Sequence, residues 1–383
     1  MPKADSTPAT NPLARPYAQF GFDVLRQLTS QRPNTNVFIS PTSIAVALAM
    51  TSNGATGTTR DAILKTLHAD TQPIDTFNAA NQELAEQIGK TTAVQLSMTN
   101  ALWLQQDLSV NPAFQQALQM SYEAQAQTLN FRNSADAIQT INAWVAKHTN
   151  DRIEHLIDQV GPLTVAMLTN AIVFKGKWTL QFDPKSTQPH DFKPATGAVL
   201  QVPMMQNSAE YAYYTDGKGL EAIRLPYADR SFAMYVVLPQ DSSHMQSFLQ
   251  QLTPDTFTAL VTSLHTQRGT IELPRFTIDY NATLNAVLTK LGMGIAFGNN
   301  ADFDGICKSP RIQISEVRHA SFLKVDEEGT EAAAATSVGM RALAVRIEPK
   351  PFHMVVDHPF FLAIRDERNG QLLFTGTIAK PEN

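Results

Sequence analysis

VDEEGTEAAAATSVGMRALAVRIEPKPF, residues 325–352, is the stretch on which the reading of this 383-residue chain turns. By propensity its alanine-rich part is a surface helix, with Thr330 as a cap. Read with a period of two, the same residues make a strand with one buriable face: Thr330, Ala332, Ala334, Thr336, Val338 and Met340 are uncharged and small or apolar. Glu331, Ser337 and Arg341 fall on the other parity with Ala333, Ala335 and Gly339. No proline interrupts the run before Pro349, so every backbone N–H up to that point is free to join a sheet ladder. The segment is polar enough to sit in water and patterned to be buried. Small side chains suit a strand that has to enter between formed neighbours, where bulk clashes and a charge loses its hydration.

Outward from this stretch the chain reads as globular. Hydrophobic residues make up 43% of it and charged ones 17%, enough apolar material for a large core. Length alone suggests two or three domains, but no Pro/Gly/Ser-rich linker divides residues 16–383, and residues 1–15 read as a disordered tail. A net charge of −5, with no local basic run, argues against non-specific nucleic-acid binding. The single cysteine, Cys307, excludes an intramolecular disulfide framework and a multi-cysteine zinc site. No apolar stretch approaches the length of a membrane span, and the first fifteen residues lack the apolar core of a signal peptide.

Several elements are legible. Ser40-Pro41 and Asn53-Gly54 bracket a helix that is apolar almost all round and so belongs in the interior. Val94, Leu96 and Met98, continued by Leu102 and Leu104, alternate as a half-buried strand. Ile138, Ile141 and Val145 have helical spacing. The apolar runs 163–174 and 232–238 read as central strands, and PFFLAIRDERNGQLLFTGTI, residues 359–378, as a hairpin turning through Asn369-Gly370.

Reaction centres are not apparent. The nucleophile elbow, the phosphate-binding loop, the zinc-helix pair and the dinucleotide fingerprint are all missing. Residues 300–305, NADFDG, begin like a calcium loop, but Arg311 stands where the bidentate Glu belongs. The nine histidines lack metal-ligand spacing, and Cys307 carries no cue for thiolate activation.

The stretch EEGTEAAAAT, residues 327–336, resembles the hinge of inhibitory members of the serpin family, and VVDHPFFLAIR, residues 355–365, is similar to that family's C-terminal signature. NVFISPTSIAVALAM from Asn36, TNAIVFKGKWTLQFDP from Thr169, VPMM from Val202, LPY from Leu225 and the segment around His319 agree in order, covering residues 17–380. The resemblance implies one α+β domain of eight or nine helices around three β-sheets, with an exposed reactive-centre loop at about 327–350. It implies a suicide-substrate inhibitor rather than an enzyme. A serine protease, chymotrypsin-like, cathepsin G-like, elastase-like or subtilisin-like, attacks the loop and is trapped as the acyl-enzyme while the loop inserts into the large sheet. Trypsin-like and cysteine proteases are the alternative targets. Loop insertion in this family is itself a standard example of strand addition and released strain.

Carried over residue by residue, the hinge is Glu327, Glu328, Gly329, Thr330, Glu331, Ala332, Ala333, Ala334, Ala335 and Thr336. Counting from Glu327, the reactive bond is Leu343–Ala344, with Met340, Arg341 and Arg346 as alternatives. Ser40, Ser43, Asn170 and His319 match the shutter, a buried polar cluster beneath the strands that part, and Trp178 matches the breach where the loop first enters. Satisfied core polar groups and an ordinary core aromatic are the bland readings of the same residues. No cofactor, metal, nucleic acid, membrane or glycosaminoglycan is expected, the last because TFNAANQELAEQIGK, residues 76–90, has one basic residue. A monomer is expected, extracellular or periplasmic by resemblance, or cytoplasmic if the given N-terminus is native. A non-inhibitory carrier or chaperone is the rival reading, disfavoured by an unbroken run of alanines where such relatives carry bulky, charged or proline residues.

Overall fold

A computed structural model describes residues 11–89, 94–122, 124, 126–329 and 350–382. The expected hinge residues from Thr330 to Thr336, and Met340, Arg341, Leu343, Ala344 and Arg346, lie outside that set.

Helices among the described residues are α1 (Ala14–Gln31), α2 (Pro41–Ser52), α3 (Gly57–Thr66), α4 (Ile74–Gly89), α5 (Pro112–Tyr122), α6 (Ser134–His148), α7 (Ser242–Gln251), α8 (Pro254–Ser263) and α9 (Asn285–Leu288). The strands begin with β1 (Val37–Ile39), β2 (Val94–Gln105), β3 (Ala126–Leu129), β4 (Ala166–Gly176) and β5 (Gln188–Phe192). They continue with β6 (Leu200–Thr215), β7 (Glu221–Pro226), β8 (Phe232–Leu238), β9 (His265–Pro274) and β10 (Phe276–Thr283). The last four are β11 (Glu316–Val325), β12 (Phe352–Val355), β13 (Phe360–Asp366) and β14 (Leu372–Ile378).

Two sheets result. The five-stranded one runs β10-β11-β4-β2-β3, and the nine-stranded one runs β1-β14-β13-β8-β7-β6-β9-β12 with β5 on β6. Three sheets were expected; two of them are joined here because the sixteen-residue β6 is long enough to pair β5 near its start, β7 near its end and β9 along most of its length. In the smaller sheet β11 and β4 pair in parallel, from Glu316 opposite Met167 to Leu323 opposite Phe174. Their outer neighbours β10 and β2 are antiparallel to them.

Between the sheets lies α2, all twelve of its residues buried, which is what an all-round apolar helix requires. Ser40 caps it, its Oγ accepting from the Ser43 N–H at 3.1 Å. A second apolar layer, with Phe131, Ile141, Val145, Trp103, Met167 and Ala320, seats α6 on the outer face of the five-stranded sheet. The hairpin β13–β14 closes as expected, with Gly370 at φ 79° supplying the left-handed turn residue.

Two boundaries differ from expectation. The folded chain begins before residue 16: Leu13 is fully buried, and the Asn11 side chain accepts from its N–H at 2.8 Å, so α1 opens at Ala14. The run 163–174 starts too early, since Leu163 is 90% exposed beside Gly161-Pro162 and β4 begins at Ala166.

Candidate functional site

The parallel contact between β11 and β4 is a seam, and polar groups pin it from beneath. His319 and Asn170 are register partners across it, and Asn100 is the partner of Asn170 on β2. All three face α2. The backbone N–H of Ser40 donates to His319 Nε2 at 3.3 Å, so the ring's own proton sits on Nδ1 and is donated to Asn170 Oδ1. The Asn170 amide in turn donates to Ser43 Oγ and Asn100 Oδ1. Ser321, on the same face of β11, donates to the Phe38 carbonyl at 2.7 Å and ties the seam to β1. The four shutter residues read from sequence are thus brought together. Asn100 and Ser321 were missed, although Asn100 was findable as a polar residue on the apolar parity of β2.

Burial pushes His319 down to about 3, so it is neutral at ordinary pH. Between that value and the ordinary histidine range the unfolded chain holds the extra proton. Stability from this group is therefore full above about pH 6.5 and lost as the pH falls towards 3, at about 1.4 kcal/mol per unit. Unfolding in urea is expected to show a loss of about 2 kcal/mol from His319 between pH 7.5 and pH 5, absent in His319→Gln.

At the upper end of the seam the chain leaving β11 folds back. Asp326 and Gly329 exchange backbone hydrogen bonds at 2.9 and 3.2 Å, and Gly329 also bridges Lys177 in antiparallel fashion. Trp178, buried and stacked on Tyr227 at 4.6 Å, donates its indole N–H to the Asp326 carbonyl at 3.0 Å and its backbone N–H to the Glu328 carbonyl at 3.0 Å. Glu327 is buried. Its carboxylate accepts from Thr187 Oγ1 at 2.7 Å and lies 3.5 Å from Arg275 Nη1, and its carbonyl accepts from the Phe182 N–H at 2.8 Å. Glu328 donates its N–H to the Asp326 carboxylate at 3.1 Å. Trp178 and the start of the hinge therefore form one cluster.

Gly329 has φ 139°, and a Cβ there would lie 2.3 Å from the Gly176 carbonyl oxygen and 2.6 Å from Lys177 Cα. Both are backbone atoms that cannot swing aside. Gly329→Ala is expected to cost about 3 kcal/mol in chemical denaturation.

The calcium-loop candidate serves the fold instead. The Asp302 carboxylate is held below its usual range by the Thr56 hydroxyl and the Asp304 N–H, and its backbone meets both Thr56 and Thr59 at the start of α3. Among the described residues no group of three or more His, Cys, Asp or Glu converges to hold a metal. Cys307 is buried, its thiol donating to the Ser309 carbonyl at 3.2 Å. No helix among the described residues is long and apolar enough to cross a membrane.

A two-sheet α+β body with a parallel seam pinned from below and a hinge turn seated at its end defines the class of protein. A family model described as Serpin (serine protease inhibitor) matches residues 15–381, and the chain belongs to the serpin family. It is 34% identical to Serpin A3-1 of Bos taurus over 374 residues, covering 96% of this chain and 89% of that protein. Human thyroxine-binding globulin superposes with a TM-score of 0.89 at 28% identity, covering 97% of this chain and 99% of that one. The mouse protein-Z dependent protease inhibitor superposes with a TM-score of 0.87 at 25% identity, covering 97% of each. The serpin fold is thereby shown.

Proposed function

We propose that this chain is an inhibitory serpin, a suicide-substrate inhibitor of serine endopeptidases that offers Leu343–Ala344 as bait and traps the acyl-enzyme by loop insertion. The observation that carries the reading is the Gly329 turn. Gly329 already pairs with both Asp326, beyond the end of β11, and Lys177, beyond the end of β4. A chain continuing from it along the seam runs antiparallel to β11 and to β4, exchanging one slanted parallel ladder for two antiparallel ones. The residues that would follow, Thr330 to Thr336, are small on the parity that would face inward. About a dozen inserted residues at roughly 1 kcal/mol per net hydrogen bond supply on the order of ten kcal/mol. The intact fold would then be held by a barrier rather than by being the lowest state. Asn170 and His319 are the latch, since parting the seam breaks the hydrogen bond between them.

The proposed partner is a chymotrypsin-like, cathepsin G-like, elastase-like or subtilisin-like serine protease, bound once and covalently by a monomer. A trypsin-like protease would instead cut after Arg341 or Arg346, Met340 is a third option for the reactive bond, and a cysteine protease is an alternative target. An extracellular or periplasmic site of action follows from family resemblance. Incubation with chymotrypsin is expected to give an SDS-stable complex and, by mass spectrometry, a fragment beginning at Ala344; cleavage only after Arg341 or Arg346 removes that assignment. Complete cleavage without any complex would favour the rival carrier reading, to which the likeness to thyroxine-binding globulin lends support.

A further inference from the structure

The layer on the outer face of the five-stranded sheet crosses the seam. α6 follows β3 through residues 130–133 and leads into β4 through residues 149–165, so the helix and its return loop are tethered by the chain to the β4-β2-β3 side. The apolar packing beneath them ignores that division: Ile153, Leu156 and Ile157 of the loop share one cluster with Met167 and Ala171 of β4 and with Ala320 of β11. Polar contacts at the turn 155–157 are split between the two sides. From α6, Asn142 Oδ1 accepts from the Leu156 and Ile157 N–H groups, each at 3.0 Å, and Asn142 Nδ2 donates to the Ile157 carbonyl at 2.8 Å. From β10, across the seam, Asn281 Nδ2 donates to the Leu156 carbonyl at 2.7 Å and to that of His155 at 3.3 Å. Leu156 is fully buried, so its carbonyl has no ready exchange for water when that donor leaves. The same loop lays the Arg152 guanidinium over the Phe322 ring of β11 at 6.0 Å. Asp279, two residues before Asn281 on the same face of β10, has its carboxyl raised by burial, with His155 opposing the shift. In register Asn281 stands opposite Ala320, and Ala282 opposite His319. The contact on the outer face and the Asn170–His319 latch on the inner one thus lie one rung apart.

We propose that Asn281 is a positioning residue for the opening of the seam: it clasps the return loop of α6, which travels with β4, to β10, which stays with β11, so the two sides separate only once its hydrogen bonds to Leu156 and His155 break. The clasp belongs to the intact fold and needs no protease. Its consequence, that it slows the entry of a strand, rests on the function proposed above.

Hydrogen exchange of the intact chain measures opening directly. In Asn281→Ala the amides that bond across the seam, within residues 167–174 and 316–323, should exchange about fivefold faster, while those of the β13–β14 hairpin keep their rates. Asn281→Asp, which aims a carboxylate at two carbonyls, should exceed that rise. Thr283→Ala is the control, because the Thr283 hydroxyl bonds Glu316 of β11 at 3.4 Å, within one side of the seam, and its loss should leave the seam amides as they were. Unchanged seam exchange in Asn281→Ala, an equal rise in Thr283→Ala, or a rise shared by the β13–β14 hairpin overturns the clasp. Uptake of a synthetic peptide of residues 330–341, followed by native electrophoresis, should be about fivefold faster in Asn281→Ala than in the unaltered chain; equal uptake by the two overturns the clasp as a brake on entry. Faster seam exchange in a chain that takes up no peptide leaves the clasp standing and removes the insertion reading instead.

Discussion

Cutting the bond between Leu343 and Ala344 is expected to make this protein melt later, not earlier. A nick in an ordinary domain removes a constraint on the folded form and lowers its stability or leaves it unchanged. Under the function proposed above, the released segment would gain a place between β4 and β11. With on the order of ten kcal/mol from the new ladders, and an unfolding entropy of about 0.8 kcal/mol/K for a chain of this length, the midpoint should rise by about 12 °C or more. Differential scanning calorimetry before and after limited proteolysis measures it directly. A midpoint left in place would mean that insertion has no driving force, and the latch beneath the seam would then be a set of ordinary core hydrogen bonds.

If the chain inhibits as proposed, Thr330→Arg should turn it into a substrate. Thr330 is the first residue past Gly329, on the parity that would face the core, where an arginine is buried without a partner. If that adds about 3 kcal/mol to the barrier for insertion, the strand enters about a hundredfold more slowly. The acyl-enzyme then hydrolyses before it is trapped. The number of inhibitor molecules consumed per protease should rise from near one to about ten or more, with the covalent band fading on SDS gels. Glu331→Arg is the control, because that residue lies on the opposite parity and its side chain would stay in water. Equal effects from the two substitutions would refute insertion with this register.

Much of the fold is legible from short-range pattern. The helix between Ser40 and Asn53 announces itself by its cap, its proline and its unbroken apolar run, and the hairpin through Gly370 by its turn. Strand ends are less so, because an apolar residue such as Leu163 keeps the pattern going past the point where the backbone leaves the sheet. The union of two expected sheets through β6 depends on which strands lie side by side, which no local period encodes. Of the polar cluster, Ser40, Ser43, Asn170 and His319 come from family resemblance, while its extension from Asn170 to Asn100 depends on register between β4 and β2. Asn100 nevertheless carried its own signal, an amide among the leucines and methionine of one face of β2.

The length of β6 bears on where motion is permitted. Running through both halves of the larger sheet, it makes that layer one continuous chassis, so if the seam of the smaller sheet slides open as proposed, the wall behind it is not expected to shear to accommodate the motion. The give must come from α6 in front and from the Asn170–His319 latch over α2. Backbone amides of the chassis should therefore keep their protection from hydrogen exchange throughout the transition, while those along the sliding panel lose it.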